Sequence, residues 1–277
     1  MLDDYKEWLT ENGKSTGTVK TYMINVQQYI KWYRETFGSD MFELLHSNIL
    51  DYRSYLQNIK KQKAAGVNSK LAALISFNAF LIETGRQGAT AASKKDLLRI
   101  QAAYASPGDL TEKDIDAFRQ KVLLESGKRD HALVTIMAYA GLRISESLSL
   151  SVADVDLIGR QITVNKGKGN KERVVFIGDK VINAVREYLI ELGKDSPWLF
   201  PGRGGNKLNR SAANKLCNRF SDVVTPYKLR HFYCSNALEK GYSFHEVVNQ
   251  AGHSNIHTTL RYTNPTSQAM KEKANRL

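Results

Sequence analysis

Apolar positions recur at helical spacing through the first third of the chain, with no alternating run among them. Leu2, Tyr5, Trp8 and Leu9 share one face of a predicted helix over residues 2–12, which Gly13 ends. The Ser-Thr-Gly-Thr stretch at 15–18 caps a longer amphipathic helix. Its stripe is Val19, Tyr22, Met23, Val26, Tyr29, Ile30 and Tyr33, and it closes near Gly38. A third helix is predicted over 47–60, carrying Ile49, Leu50, Tyr52, Tyr55 and Leu56. A fourth bears Leu71, Leu74, Phe77, Phe80 and Leu81 and stops at Gly85. Four apolar stripes with no strand signal predict a small helical domain over 1–87, its aromatics used mainly as core.

The pattern then lapses. Residues 88–109 run through small residues, the basic Lys94, Lys95 and Arg99, and a Ser-Pro-Gly turn at 106–108. This reads as a linker, with 96–105 able to form a helix. Periodicity resumes in a second domain, 110–277, opening on a helix whose first turn pairs Thr111 with Asp114. A wholly apolar helix ends at Gly141, and a short helical segment follows Arg143. Over 157–177 the period falls to two, so that 161–164 and 173–177 read as strands joined by the lysine-loaded tip NKGKGNK. Helices are predicted again at 180–192, 209–220, 227–240, 244–250 and 256–262, with an extended piece at 197–201. The expected fold is mainly α, with a small antiparallel β-sheet in the second domain.

Charge sharpens this picture. The chain carries 40 Lys+Arg against 28 Asp+Glu, a net of +12. Residues 1–88 hold 11 and 9 of these, leaving +10 for the remainder (29 − 19). Such an excess favours a polyanionic partner, engaged chiefly by the second domain. In the first domain, the lysines at 14–20 and 60–70 are candidate phosphate contacts, though a solvated charged turn explains them nearly as well. Cys217 and Cys234 lie in apolar helical patterns and read as buried free thiols rather than a disulfide framework. The start Met-Leu-Asp-Asp-Tyr has no leader character, so a cytoplasmic protein without membrane contact is expected. The glycine-rich GKGNKE and GRGGNK segments lack the spacing of a nucleotide-binding P-loop.

One constellation carries chemistry. Arg143, Lys168, Arg230, His253 and Tyr262 occur in that order, on helix ends and a hairpin tip. Guanidinium forks grip phosphate oxygens bidentately, and a tyrosine hydroxyl is a covalent nucleophile once its proton is managed. Metal-free cleavage of a phosphodiester also needs a proton for the leaving oxygen, which Lys168 could donate. Glu146, three residues after Arg143, could orient it. Singly, each residue has a plainer reading: surface arginine, solvated lysine, packed histidine, core tyrosine. His253 and His257 have the spacing of a metal pair, but no third ligand stands nearby and no metal is expected.

The motifs around these residues resemble those of the tyrosine recombinase (phage integrase) family, especially its Xer-like and transposon-encoded members. AGLRISES at 140–147 is similar to the family's first arginine box, and GKGNKER at 167–173 to its hairpin lysine motif. LRHFYCSNALEKG at 229–241 is similar to the second arginine box, and GHSNIHTTLRYT at 252–263 to the block ending in the nucleophile. The resemblance implies a helical core-binding domain and an α+β catalytic domain clamping duplex DNA at a specific core site. Arg143, Lys168, Arg230, His253 and Tyr262 would be catalytic, supported by Glu146 and Tyr227. It further implies a homotetramer working through a Holliday junction, possible accessory sites or proteins, and no cofactor; the tail 264–277 would dock on a neighbour. Tyr227 departs from the pattern, standing where the family usually has histidine. A phenol donates a hydrogen bond but is a poor base at neutral pH. Two other classes were weighed: a type IB topoisomerase-like DNA relaxase, and a non-catalytic DNA-binding regulator of the same fold.

Overall fold

A computed structural model describes residues 1–39, 43–100, 110–165, 172–192 and 196–252. The chain forms two compact units, residues 1–102 and 103–277.

The first unit is built on four helices, α1 (Leu2–Glu11), α2 (Thr16–Phe37), α3 (His46–Ser54) and α4 (Ala64–Glu83), with a π-turn at Tyr55–Ile59 extending α3 and no strand among its described residues. Ser15 caps α2 by accepting from the Thr18 amide, and Gly38 closes it at φ +67°. The predicted stripes converge on one core containing Tyr5, Leu9, Val26, Tyr29, Tyr52, Phe77 and Phe80. Its aromatics meet edge to face, Tyr5 on Phe77 at 5.0 Å and Tyr29 on Tyr52 at 5.1 Å. α4 is long and apolar enough to cross a bilayer, but Leu71, Leu74, Phe77, Phe80 and Leu81 are buried in this core.

The linker expectation needs correction over 88–98, which is fastened to this unit. Asn78 Oδ1 accepts from the amides of Ala91 and Ala92 at 2.8 and 3.1 Å, and both alanines are buried. Asn68 pairs with the amide and carbonyl of Leu98. The helix allowed over 96–105 is only a 3₁₀ turn at Lys94–Asp96; 97–100 are non-helical and 101–105 lie outside the described residues. Two side-chain amides on α4 thus recruit a stretch whose composition reads as linker.

The second unit packs around α6 (Lys128–Tyr139), which is buried nearly end to end. α5 (Glu112–Ser126), α8 (Asp179–Leu189) and α10 (Pro226–Glu239) surround it, and α9 (Arg210–Phe220) packs on α5. The Thr111–Asp114 capping box opens α5 as expected. One short helix, α7 (Ile144–Ser147), follows the break at Gly141. The sheet has three antiparallel strands in the order β1 (Val155–Asp156), β2 (Gln161–Val164) and β3 (Arg173–Phe176), with Val164 opposite Arg173. β1 was not predicted, because two residues are too short to show a period. A separate small cluster of Tyr233, Cys234, Ala237, Val247 and Ala251 fixes α11 (Phe244–Ala251) to α10. Both cysteines are free and buried, which pushes the Cys234 thiol up to about 11.

Candidate active site

Gly141 determines where the first arginine stands. It ends α6 at φ +64°, and a Cβ there would lie 2.2 Å from the Tyr233 ring, so only glycine fits this turn. The chain leaves the turn through buried Leu142 and presents Arg143 at the N-cap of α7. Glu146 closes a reciprocal cap. Its Oε2 accepts from the Arg143 amide and its Oε1 from Arg143 Nη1, both at 2.7 Å.

Arg230 comes from α10, whose start is set by a Thr225 cap and Pro226 in the first turn. Its guanidinium is buried. Nη1 donates to the Gly141 carbonyl and Nη2 to the Ala251 carbonyl, each at 2.7 Å, and Nη1 lies 3.9 Å from Glu146. Burial, then the neighbouring Arg143 charge, lowers its pKa below the usual arginine value.

These groups meet at the C-terminus of α11, whose last carbonyls have no helical partner and carry the negative end of the helix dipole. Arginines supply the missing donors. Gln250 O accepts from Arg173 Nε at 3.2 Å, Ala251 O from Arg230, and Gly252 O from Arg143. Arg173 also forks onto Glu146, Nη1 to Oε1 at 3.0 Å and Nη2 to Oε2 at 2.9 Å. Burial works against a charged Glu146, but the Arg173 hydrogen bonds, the Arg143 amide and the surrounding cations outweigh it and hold its pKa down to about 2. The carboxylate therefore stays ionised, and three guanidiniums against one carboxylate leave a local charge of 3 − 1 = +2.

Arg143, Glu146 and Arg230, separated by up to 87 residues (230 − 143), are thus brought together. Tyr227, on the first turn of α10, is 63 % exposed, with its ring edge-on to His231 at 6.2 Å. Lys168, His253 and Tyr262 lie outside the described residues, as does the predicted helix at 256–262. Among the described residues no cluster of three or more metal-ligating side chains occurs. The sequence reading missed Arg173. A signal was available: it shares the strand face of buried Val175, a costly place for an idle cation.

Residues 109–269 match the family pattern described as "Phage integrase family", and residues 1–83 match "Phage integrase, N-terminal SAM-like domain". The TnP I resolvase of Bacillus thuringiensis is 42 % identical, the alignment spanning 99 % of this chain and 98 % of that one. A tyrosine recombinase XerD of Corynebacterium glutamicum is 30 % identical over 96 % and 95 % of the two chains. Among solved structures, the Tn1549 transposon integrase in complex with a circular intermediate DNA superposes at a TM-score of 0.75, covering 100 % of this chain and 99 % of that one at 17 % identity. A lambda integrase dimer bound to a core site gives 0.74 at 15 % identity, covering 96 % and 95 %. At those identities the structural likeness speaks for the fold.

Proposed function

The chain belongs to the phage integrase family, and we propose that it is a site-specific DNA recombinase whose proposed nucleophile is Tyr262 and whose phosphate site is the arginine cluster at the end of α11. The observation that carries this reading is the net +2 assembly of Arg143, Arg173, Arg230 and Glu146, which holds the backbone up to Gly252, the residue before His253 in sequence. Attack on a phosphodiester raises its charge from one negative to two as the pentavalent state forms, and fixed cations in a water-poor site stabilise that change most.

In the proposed cycle the Tyr262 hydroxyl attacks the scissile phosphorus as its proton passes to His253 or water. A bond to phosphorus forms and the bond to the 5′ oxygen breaks. Lys168 protonates that oxygen, leaving a 3′-phosphotyrosyl link and a free 5′-hydroxyl. Attack by the 5′-hydroxyl of a partner duplex reverses the chemistry and rejoins the strands through a Holliday junction, with no nucleotide cofactor. Arg143 and Arg230 hold the non-bridging oxygens, His253 hydrogen-bonds one of them, and exposed Tyr227 serves as a positioning hydrogen-bond donor on bound DNA. Work as a homotetramer on core-site DNA, with residues 264–277 docking on a neighbour, completes the reading. The kinship to a protein named a resolvase and to Xer recombinases favours resolution of a mobile element or replicon.

The test is an SDS-resistant adduct on nicked duplexes tiled from DNA flanking the gene. Wild type is expected to form it, Tyr262→Phe to form none, and Tyr227→Phe to retain it. Binding without an adduct on every duplex would leave only a DNA-binding regulator. For assembly, removal of 264–277 is expected to abolish tetramers on DNA while monomer binding persists; intact tetramers would sink the docking role.

A further inference from the structure

Three arginines hold the end of α11, and only two of them take a role from the family resemblance, although the third also closes the hairpin segment matched at 167–173. The third is Arg173, on β3. Two of the groups it grips are also gripped by a proposed catalytic arginine. It shares Glu146 Oε1 with Arg143 (3.0 and 2.7 Å) and the Ala251 carbonyl with Arg230 (3.4 and 2.7 Å). Its Nε holds the carbonyl of Gln250 as well. Its guanidinium packs against Gly252, where a Cβ would lie 2.6 Å from Arg173 Cζ.

From this arrangement we propose that Arg173 is a positioning residue for DNA cleavage, locking Glu146 and the 250–252 backbone so that Arg143 and Arg230 present their remaining N–H groups to one phosphate. The proposal rests on the recombinase reading. Without Arg173, the described ties between Glu146 and the end of α11 run through the two proposed catalytic arginines themselves. α7 is a single turn, too short to hold Arg143 and Glu146 by its own cooperativity. Arg230 touches Glu146 only at 3.9 Å. Arg173 supplies the bidentate link, and a planar fork can span two carboxylate oxygens and a helix end where an ammonium cannot. In sequence, β3 follows the loop bearing Lys168, and Gly252 precedes His253. One side chain therefore ties the strand after one proposed catalytic residue to the helix before another.

Glu146 gives this role a distinct readout. The groups facing it are Arg143 from its own turn, Arg173 from β3 and Arg230 from α10. Removing Arg173 takes away its strongest partner and leaves burial less opposed, so the carboxyl protonates at a higher pH. Cleavage by the variant is then lost at a higher pH than in wild type as the medium is acidified.

The experiment measures single-turnover adduct formation on a nicked core-site duplex, with DNA affinity and thermal unfolding alongside. Arg173→Ala is expected to cleave roughly 10- to 100-fold more slowly, the usual range for a supporting partner of a reacting group. Affinity should change far less, and the acid limb should move to higher pH. Arg173→Lys should not rescue the rate, whereas added guanidinium should restore part of it to Arg173→Ala. Gly252→Ala should slow cleavage in the wild-type background and add less to Arg173→Ala, where the clash is gone. Should Arg173→Ala fail to fold, Arg173→Lys carries the same test. A wild-type rate and pH profile in Arg173→Ala, full rescue by lysine, or affinity lost in step with cleavage would each overturn the proposal. Absence of any wild-type adduct defeats the recombinase reading and this inference with it. A wild-type adduct with an unaffected variant defeats the inference alone.

Discussion

Glu146 shows how a single buried carboxylate can organise a cationic site. Its pKa, near 2 in the folded unit, lies below the ordinary 4.5, so its contribution to stability is present above about pH 4.5 and is lost as pH falls toward 2. Glu146→Gln removes the charge while keeping the shape, leaving Arg143, Arg173 and Arg230 without their shared anion. Breaking a buried pair in this way costs about 3 kcal/mol. The variant should unfold earlier at pH 7, and the gap to wild type should narrow in acid. An equal gap from pH 7 to 3, followed by circular dichroism, would show that the carboxylate is not the organiser.

At the scale of elements, the site is made of helix ends. The C-terminus of α6 turns at Gly141, α7 begins at Arg143, and α11 stops against three guanidiniums. Gly141 couples the first two of these to α10, through its carbonyl bond to Arg230 and its contact with the Tyr233 ring. Gly141→Ala would place a Cβ within 2.2 Å of that ring in a left-handed conformation. Strain and overpacking together should destabilise the second unit by roughly 2–4 kcal/mol. Cleavage should fall even at temperatures where the variant stays folded. Unchanged stability in denaturant melts would mean that the Tyr233 ring moves aside freely.

Across the whole molecule, the two units carry unequal positive charge. Residues 1–102 carry +4 (14 − 10) and residues 103–277 carry +8 (26 − 18). The first unit has its own aromatic core, and residues 88–98 are fastened to it rather than strung between units. A fragment of residues 1–102 is therefore expected to unfold cooperatively by itself, whereas one ending at residue 87 should be less stable for lack of the Asn78 and Asn68 attachments. Calorimetry of the two fragments decides this, and equal melting temperatures would return 88–98 to the role of linker.

Among the described residues, the sequence alone determined the main helices of both domains, the β2–β3 pair and the break at Gly141. Each of these depends on local spacing or on a residue with special backbone freedom, which the order of residues displays directly. It also determined the family, through four short motifs in a fixed order, and so nominated Arg143, Glu146 and Arg230 before any geometry was known. What only the tertiary structure decided depends on partners distant in the chain. Arg173 looked like one more charge in a strand until Glu146, 27 residues away, and the end of α11, 77 residues away, proved to be its acceptors. The attachment of 88–98 was hidden in the same way, because Asn68 and Asn78 reveal their purpose only when a distant backbone arrives to be hydrogen-bonded. Local pattern specifies which elements form and where they stop; the pairing of buried polar groups is settled only when those elements pack, because burial is what makes an unpaired group costly.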